Sequence, residues 1–400
     1  MTNARTIAVV TGSRADYGLQ YWLIRALHEA PELTLQLIVT GSHLGTLFGN
    51  TVDQIRTDGF PIAATVPMIA GDDSAWAMAR STGEGVIGMA DVFRRLRPDL
   101  VVVPGDRFEI LAAAQTAMLM SVPVAHLHGG EVTEGAVDES IRHAVSKMSS
   151  IHFVSAAPYR QRLIRMGEDP ARVHVVGAPG LDHLTRTPLP PRDELLGSVG
   201  LDASKPFLLV TYHPATRGHA SPLDALQQLI NALDRFPDHQ LLITKANADA
   251  GGRAINEALD AYAAAHRPRA ALVASLGTPR YLSAVTHASA LVGNSSSALI
   301  EAPATGTPTV NIGPRQQGRL RAASVVDCDE QADAIAAALT RVLGPGFREQ
   351  AAATEPPYGR PGDAAARMLS VLRGIDLDEL RIKRFHDDIR LKADTTAGPS

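Results

Sequence analysis

The chain has 400 residues, 45% hydrophobic and 20% charged, which is ample apolar material for a core but too much chain for one comfortable domain, so two domains are expected. Its 38 Lys and Arg against 42 Asp and Glu leave a formal net charge of −4 with no basic block; this argues against nucleic acid as a partner, since such binding depends on clustered cations. A single cysteine, Cys328, permits no intrachain disulfide and no cysteine-based zinc site, and no apolar run approaches the roughly 20 residues of a membrane span, so no membrane partner and a cytoplasmic location are expected.

Residues 6–11 (TIAVVT) read as a buried strand, followed by Gly12-Ser13-Arg14-Ala15-Asp16-Tyr17-Gly18 and a helix-like run through Leu27. The unit lacks GxGxxG, so a dinucleotide fingerprint is not supported, but Gly12, Ser13 and Arg14 at a helix N-terminus suit an anion. Gly12 alone is equally well read as a turn that needs glycine; Arg14 tips the balance. A strand at residues 35–40 ends in Gly41-Ser42-His43, and a helix through Ile55 leads to a strand at 62–66. Ser74 is a suitable N-cap for a long helix toward Arg97, where Gly83, Gly85 and Gly88 point to close packing or a bend and Pro98 sets the end.

The stretch from Leu100 to His143 concentrates ionisable residues at the ends of apolar runs. Residues 100–103 and 122–125 are short β-branched-rich runs, as expected of parallel strands buried on both faces. The first ends at Asp106, Arg107 and Glu109; the second ends at His126, His128 and Glu131, before a helix carrying Asp138, Glu139, Arg142 and His143. In an open α/β sheet these positions lie at the carboxyl ends of the strands, where ligands bind. The i,i+4 spacing of Asp138 and Arg142 also fits an ordinary surface ion pair. Arg107 suffices as a loop anchor, and His143 and His152 as packing histidines, so these three stand outside the catalytic set. Strands are expected at 151–154 and 173–176.

Gly177-Ala178-Pro179-Gly180 and the prolines of 188–191 mark the linker. The alternation then restarts with strands at 207–211, 241–244, 271–274, 290–292 and 309–312. The expected fold is α/β, two parallel-sheet domains with a cleft between them, followed by a helix from 364 and a disordered tail at 391–400. In the second domain Gly293, Asn294, Ser295, Ser296 and Ser297 follow a strand and open the helix carrying Leu299, Ile300 and Glu301, an arrangement that suits a phosphate without a lysine. A lone serine run is more often a helix cap. Arg315, Arg319 and Arg321 follow the next strand and favour a diphosphate, and His213 ends the domain's first strand facing the expected cleft.

With these residues assembled, the chain resembles the hydrolysing UDP-N-acetylglucosamine 2-epimerases. The resemblance rests on TGSRADYG from Thr11, GDRFE from Gly105, HLHGGEVTEGAVDESIRHAVSKMS from His126, YHP from Tyr212, GNSSSALIE from Gly293 and IGPRQQGRLRAASVVD from Ile312. It implies a glycosyltransferase-B architecture of two Rossmann-like domains with a central cleft, 1–180 with the acid/base residues and 181–363 binding nucleotide, and a helix at 364–390 returning to the first domain. It also implies a nucleotide-sugar substrate, neither metal nor nicotinamide cofactor, and a homodimer or homotetramer. It further implies elimination of UDP from UDP-N-acetylglucosamine to a 2-acetamidoglucal, then hydration to N-acetylmannosamine. A GDP-linked sugar or a UDP-2,4-diacetamido sugar is the alternative; a glycosyltransferase or a non-catalytic nucleotide-sugar sensor would have no need of the first-domain carboxylates.

Carried over residue by residue, the resemblance makes Asp106 and Asp138 acid/base groups, His213 a group near the leaving diphosphate, Ser295 and Ser296 phosphate binders, Glu301 a ribose binder and Arg14 an arginine near the phosphates. The family's H-x-E-G-G glutamate is replaced by His128, with Glu131 three residues on, so the third proton carrier is either His128 or Glu131.

Overall fold

The structure, a computed structural model, describes residues 5–45, 51–71, 74–133, 137–214, 221–246 and 252–387. The expected tail at 391–400 lies outside them. By its internal contacts the chain divides into two compact units, residues 1–180 with 363–400 and residues 181–362.

The first unit is a seven-stranded sheet of β1 (Arg5–Thr11), β2 (Leu33–Thr40), β3 (Ile62–Val66), β4 (Leu100–Pro104), β5 (Val124–Leu127), β6 (Ile151–Val154) and β7 (Val173–Val175). Its strand order is β3-β2-β1-β4-β5-β6-β7, and every pairing is parallel. Along β1, Ile7 and Val9 face one core while Ala8 and Val10 face the other. A strand with helices on both faces therefore reads as a continuous apolar run, and each fully buried aliphatic side chain stabilises the fold by about 1.5–3 kcal/mol. β5 starts after Pro123, because the Val122 N–H is spent on Ala117 O at 2.9 Å, closing the preceding helix.

Local signals set the helix ends. Ser13 caps Arg14–Glu29 by accepting from Asp16 N at 3.2 Å, and Ser74 caps Ala75–Leu96 by accepting from Ala77 N at 3.2 Å. The long helix runs unbroken; a Cβ at Gly85 would lie 2.7 Å from Met68 Cε and one at Gly88 2.6 Å from Val66 Cγ1. These two glycines thus mark close packing, not a bend.

The second unit repeats the plan with β8 (Phe207–Thr211), β9 (Gln240–Thr244), β10 (Ala270–Val273), β11 (Ala290–Gly293), β12 (Thr309–Ile312) and β13 (Val325–Cys328). All pairings are parallel, in the order β10-β9-β8-β11-β12-β13. β13 is absent from the strands the pattern predicts, because this edge strand, VVDC, is only partly buried and lacks an apolar run.

The expected helix at 364–390 is shorter. Ala364–Gly374 is helical and packs Met368 and Leu372 with Ile7 and Leu27; Ile375 is extended, Leu377–Leu380 adds one turn, and 381–387 is irregular. No helix among the described residues is long and apolar enough to cross a membrane.

Candidate active site

Strand order reverses between β1 and β4 in the first unit and between β8 and β11 in the second. Such switch points open a crevice beyond the carboxyl ends of the strands. In the first unit β1 delivers Gly12, Ser13, Arg14 and Asp16 to that edge, with Arg14 exposed at the start of its helix, and β4 delivers Asp106, Arg107 and Glu109.

Asp106 accepts a hydrogen bond from Arg142 Nη2, and the same nitrogen donates to Thr133 Oγ1 at 2.7 Å. Arg142 is buried on the helix Val137–Met148 and reaches across to the β4 loop. The surface pair with Asp138 that the spacing allows is therefore not formed. Asp138, in the first turn of that helix, is instead pushed by burial above the usual carboxylate range, against the pull of the Arg107 charge. Its neighbour Glu139 accepts from Thr133 N at 2.5 Å and bonds His143 at 3.2 Å.

His128 and Glu131 are not alternatives in space. His128 Nδ1 lies 2.8 Å from Glu131 Oε1, and Ser155 Oγ donates to the same oxygen at 2.6 Å. A carboxylate accepting from Nδ1–H leaves Nε2 as the ring's acceptor, and that atom is buried with no hydrogen-bond partner among the described residues. His128 also holds φ +63°, a conformation that costs a β-carbon-bearing residue about 1 kcal/mol or more and is tolerated where surroundings over-determine it. Beneath it His126 is fully buried, with Nε2 at 2.7 Å from Gly105 O and Nδ1 at 3.1 Å from Ser146 Oγ. Burial lowers it to about 3, so it is a neutral strut under the Asp106 loop. His152, fully buried, bonds Glu168 at 2.9 Å, which agrees with the packing reading.

In the second unit the serine run does not open a helix of any length. Ser296–Ala298 is a 3-10 turn capped by Ser295, whose Oγ accepts from Ser297 N at 3.3 Å, and the following helix Glu301–Ala304 has four residues. A helix dipole is thus small here, and backbone N–H groups and hydroxyls carry what attraction for anions there is.

The Asn294 side chain is spent on the backbone of His213, accepting from His213 N and donating to His213 O at 2.8 Å each, so its contribution to a ligand is indirect. Gly293 is structural as well: a Cβ there would lie 2.0 Å from Thr211 O. Arg315 Nη1 donates to Asn294 O at 3.2 Å, joined by the buried Gln316 at 2.9 Å, a residue that sequence reasoning passed over inside the IGPRQQG string. Arg321 is withdrawn from the expected guanidinium set by Asp327, at 2.6 Å. Glu301 is raised by burial, opposed by the Arg319 charge, and its Oε2 has no partner among the described residues. The first unit can thus accept and deliver protons, while the second offers hydroxyls, amides and cations.

The sequence profile of the family described as UDP-N-acetylglucosamine 2-epimerase matches residues 25–373. The UDP-N,N'-diacetylbacillosamine 2-epimerase (hydrolyzing) of Legionella pneumophila is 38% identical over 339 residues, 85% of this chain and 89% of that one. The GDP/UDP-N,N'-diacetylbacillosamine 2-epimerase (hydrolyzing) of Campylobacter jejuni is 37% identical over 81% of this chain and 84% of its own length. Among solved structures, the UDP-GlcNAc 2-epimerase from Neisseria meningitidis bound to UDP-GlcNAc shares the fold with a TM-score of 0.78, 17% identity and coverage of 92% of this chain and 100% of that one. Two parallel Rossmann-like units of glycosyltransferase-B type, matched over most of their length by proteins of one activity class, place this chain in the UDP-N-acetylglucosamine 2-epimerase family, in its hydrolysing branch, which acts on nucleotide sugars.

Proposed function

We propose that the protein eliminates UDP from a UDP-linked 2-acetamido sugar and hydrates the resulting glycal from the opposite face, releasing the C2-inverted free sugar. The observation that carries this reading is the placement of Asp106 after β4, of the hydrogen-bonded His128–Glu131 pair after the neighbouring β5, and of Asp138 in the first turn of the helix that follows, all at the carboxyl ends of adjacent strands of one sheet. The C2 proton is weakly acidic, so its removal needs a base held against it and a stabilised leaving group. Asp138, its proton affinity raised by burial, suits the base. The C1–O bond breaks as the C2–H electrons form the C1=C2 bond and the diphosphate departs. Hydration then sets a proton on C2 and hydroxide on C1, with Asp106 and His128 Nε2 as the remaining proton carriers and Glu131 orienting the ring.

Within the second unit the diphosphate falls to Ser295, Ser296, His213, Arg315 and Arg319, and the ribose to Glu301; Arg14, at the start of the first unit's first helix, keeps the anion-binding role that the family resemblance gives it. The Ser296 carbonyl accepts from Leu299 N and Ile300 N at 2.9 and 3.1 Å, but its hydroxyl makes no hydrogen bond among the described residues, unlike that of the capping Ser295. Ser296→Ala is therefore expected to weaken UDP binding by on the order of 1 kcal/mol or somewhat more; unchanged affinity by calorimetry would place the diphosphate elsewhere.

Two substrates fit the chemistry. UDP-N-acetylglucosamine gives N-acetylmannosamine. A UDP-2,4-diacetamido sugar is favoured by the names of the Legionella and Campylobacter relatives, at 38% and 37% identity. Incubation with each, and with GDP-N-acetylglucosamine, should release free sugar and nucleoside diphosphate together, fastest from the 4-acetamido substrate. Accumulation of an epimerised nucleotide sugar as the end product would sink the hydrolytic reading.

A further inference from the structure

Glu109 is a carboxylate without exposed surface in the first turn of the helix that follows β4, in a place shaped for it. A Cβ at Gly41, where φ is +57°, would lie 2.8 Å from Glu109 Oε1 and 2.6 Å from Gly12 O, and one at Gly12 would lie 3.2 Å from Glu109 Cβ. Two glycines from two different strand ends thus clear the volume the side chain fills. Burying a carboxylate costs several kcal/mol unless a cation meets it. Here the cation is Arg107, whose Nε lies 3.3 Å from both carboxylate oxygens and whose Nη2 lies 3.2 Å from Oε1. Asp16 stands at the same spot, its Oδ2 buried with no hydrogen-bond partner among the described residues.

The Arg107 side chain is about half exposed, at 46%. An arginine so placed samples many rotamers unless something holds it, and a planar fork on a fixed carboxylate loses that freedom. We propose that Glu109, with Asp16 beside it, is a positioning residue for the reaction: its carboxylate holds the Arg107 guanidinium fork in place as the cation that acts on Asp138. This rests on the reading of Asp138 as a proton carrier.

The charges at this corner come from each element packed there. Asp16 lies on the first helix, Glu109 and Arg107 at the start of the helix Phe108–Leu119, and Asp138 on the helix Val137–Met148. Arg14 is an exposed cation at the start of the first helix, and Asp106 is engaged by Arg142. His43, bonded to Thr11 and Thr51, is lowered by burial to about 4 and is neutral in the working range. Asp16 is raised by burial and by Glu109 to about 6, against the pull of the Arg107 charge.

The test is the pH dependence of kcat and KM for the wild type, Glu109→Gln, Arg107→Gln and the double variant. If the proton is taken by an ionised Asp138, loss of the positioned charge moves the acid limb of kcat to higher pH. Each single change should move it by about one unit, a tenfold loss below the limb that recovers above it, and the double variant should move it no further, since the two residues act as one. A loss equal at all pH values, or an additive double variant, would overturn the proposal. Should Glu109→Gln not fold, Glu109→Asp keeps the charge but draws it back by a methylene, and it must show the same limb shift as Arg107→Gln. Asp138→Asn separates the two ideas: if it retains wild-type turnover, the acid/base reading has failed; if it is inactive while Glu109→Gln leaves the limb in place, only the positioning role has.

Discussion

Asp106→Asn and Asp138→Asn are each expected to lower turnover by roughly 10²–10⁴ while leaving UDP affinity nearly unchanged, because each removes a proton carrier at almost constant shape. Their effects on stability should differ. Asp106 is a carboxylate partner of Arg142, a buried cation, and an amide removes that counter-charge, so Asp106→Asn should also lower the melting temperature. Asp138 is a carboxylate that burial works against, so Asp138→Asn should melt at the wild-type temperature or above it. The His128–Glu131 pair is bonded at 2.8 Å, so His128→Gln and Glu131→Gln should both be severe and their combination little worse than either. In heavy water the released sugar should carry deuterium at C2, because elimination and hydration rebuild that centre with a solvent proton. Retention of the original hydrogen would rule out the route.

The largest stability effect is expected far from this chemistry, at Glu168. Its buried carboxylate receives Lys147 Nζ at 2.6 Å, Lys383 Nζ at 2.7 Å and His152 Nε2 at 2.9 Å. Burial alone would raise its pKa, but His152 and the two lysines overcome this and hold it at about 2. Glu168→Gln leaves two ammonium groups without their counter-charge, and a loss of about 3–5 kcal/mol in the first unit is expected. The pH sign follows from the lowered value: Glu168 contributes in full above the ordinary carboxylate range near 4.5, and the contribution fades as pH falls toward 2. Urea unfolding at pH 7 and pH 3 should therefore show the gap between wild type and variant narrowing at the lower pH; a gap of the same size at both would mean that the charge is not what Glu168 contributes.

What could be read from the chain alone was whatever neighbouring residues decide. β1, β4, β8 and β12 fall on short β-branched runs, Ser13 and Ser74 on helix starts, and Pro98 just past a helix end, because strand burial and helix capping act within a few residues. The strings around Asp106, His128, Asp138 and Ser295 carried the family, since a switch point collects its functional residues from the ends of contiguous strands. Pairing across the sequence was not legible. Arg142 turns to Asp106, 36 residues away, rather than to Asp138 on its own helix; Ser155 joins Glu131 across 24 residues; and Glu168 gathers a lysine from the C-terminal segment. Asn294 looked like part of a phosphate cradle until His213, 81 residues away, took both ends of its amide. The i,i+4 rule reads only the helix surface, whereas a buried charge must find a partner wherever the fold supplies one. The reason is energetic: an unpaired buried charge costs several kcal/mol and a surface pair gains a few tenths, so the tertiary structure decided which cation meets which carboxylate.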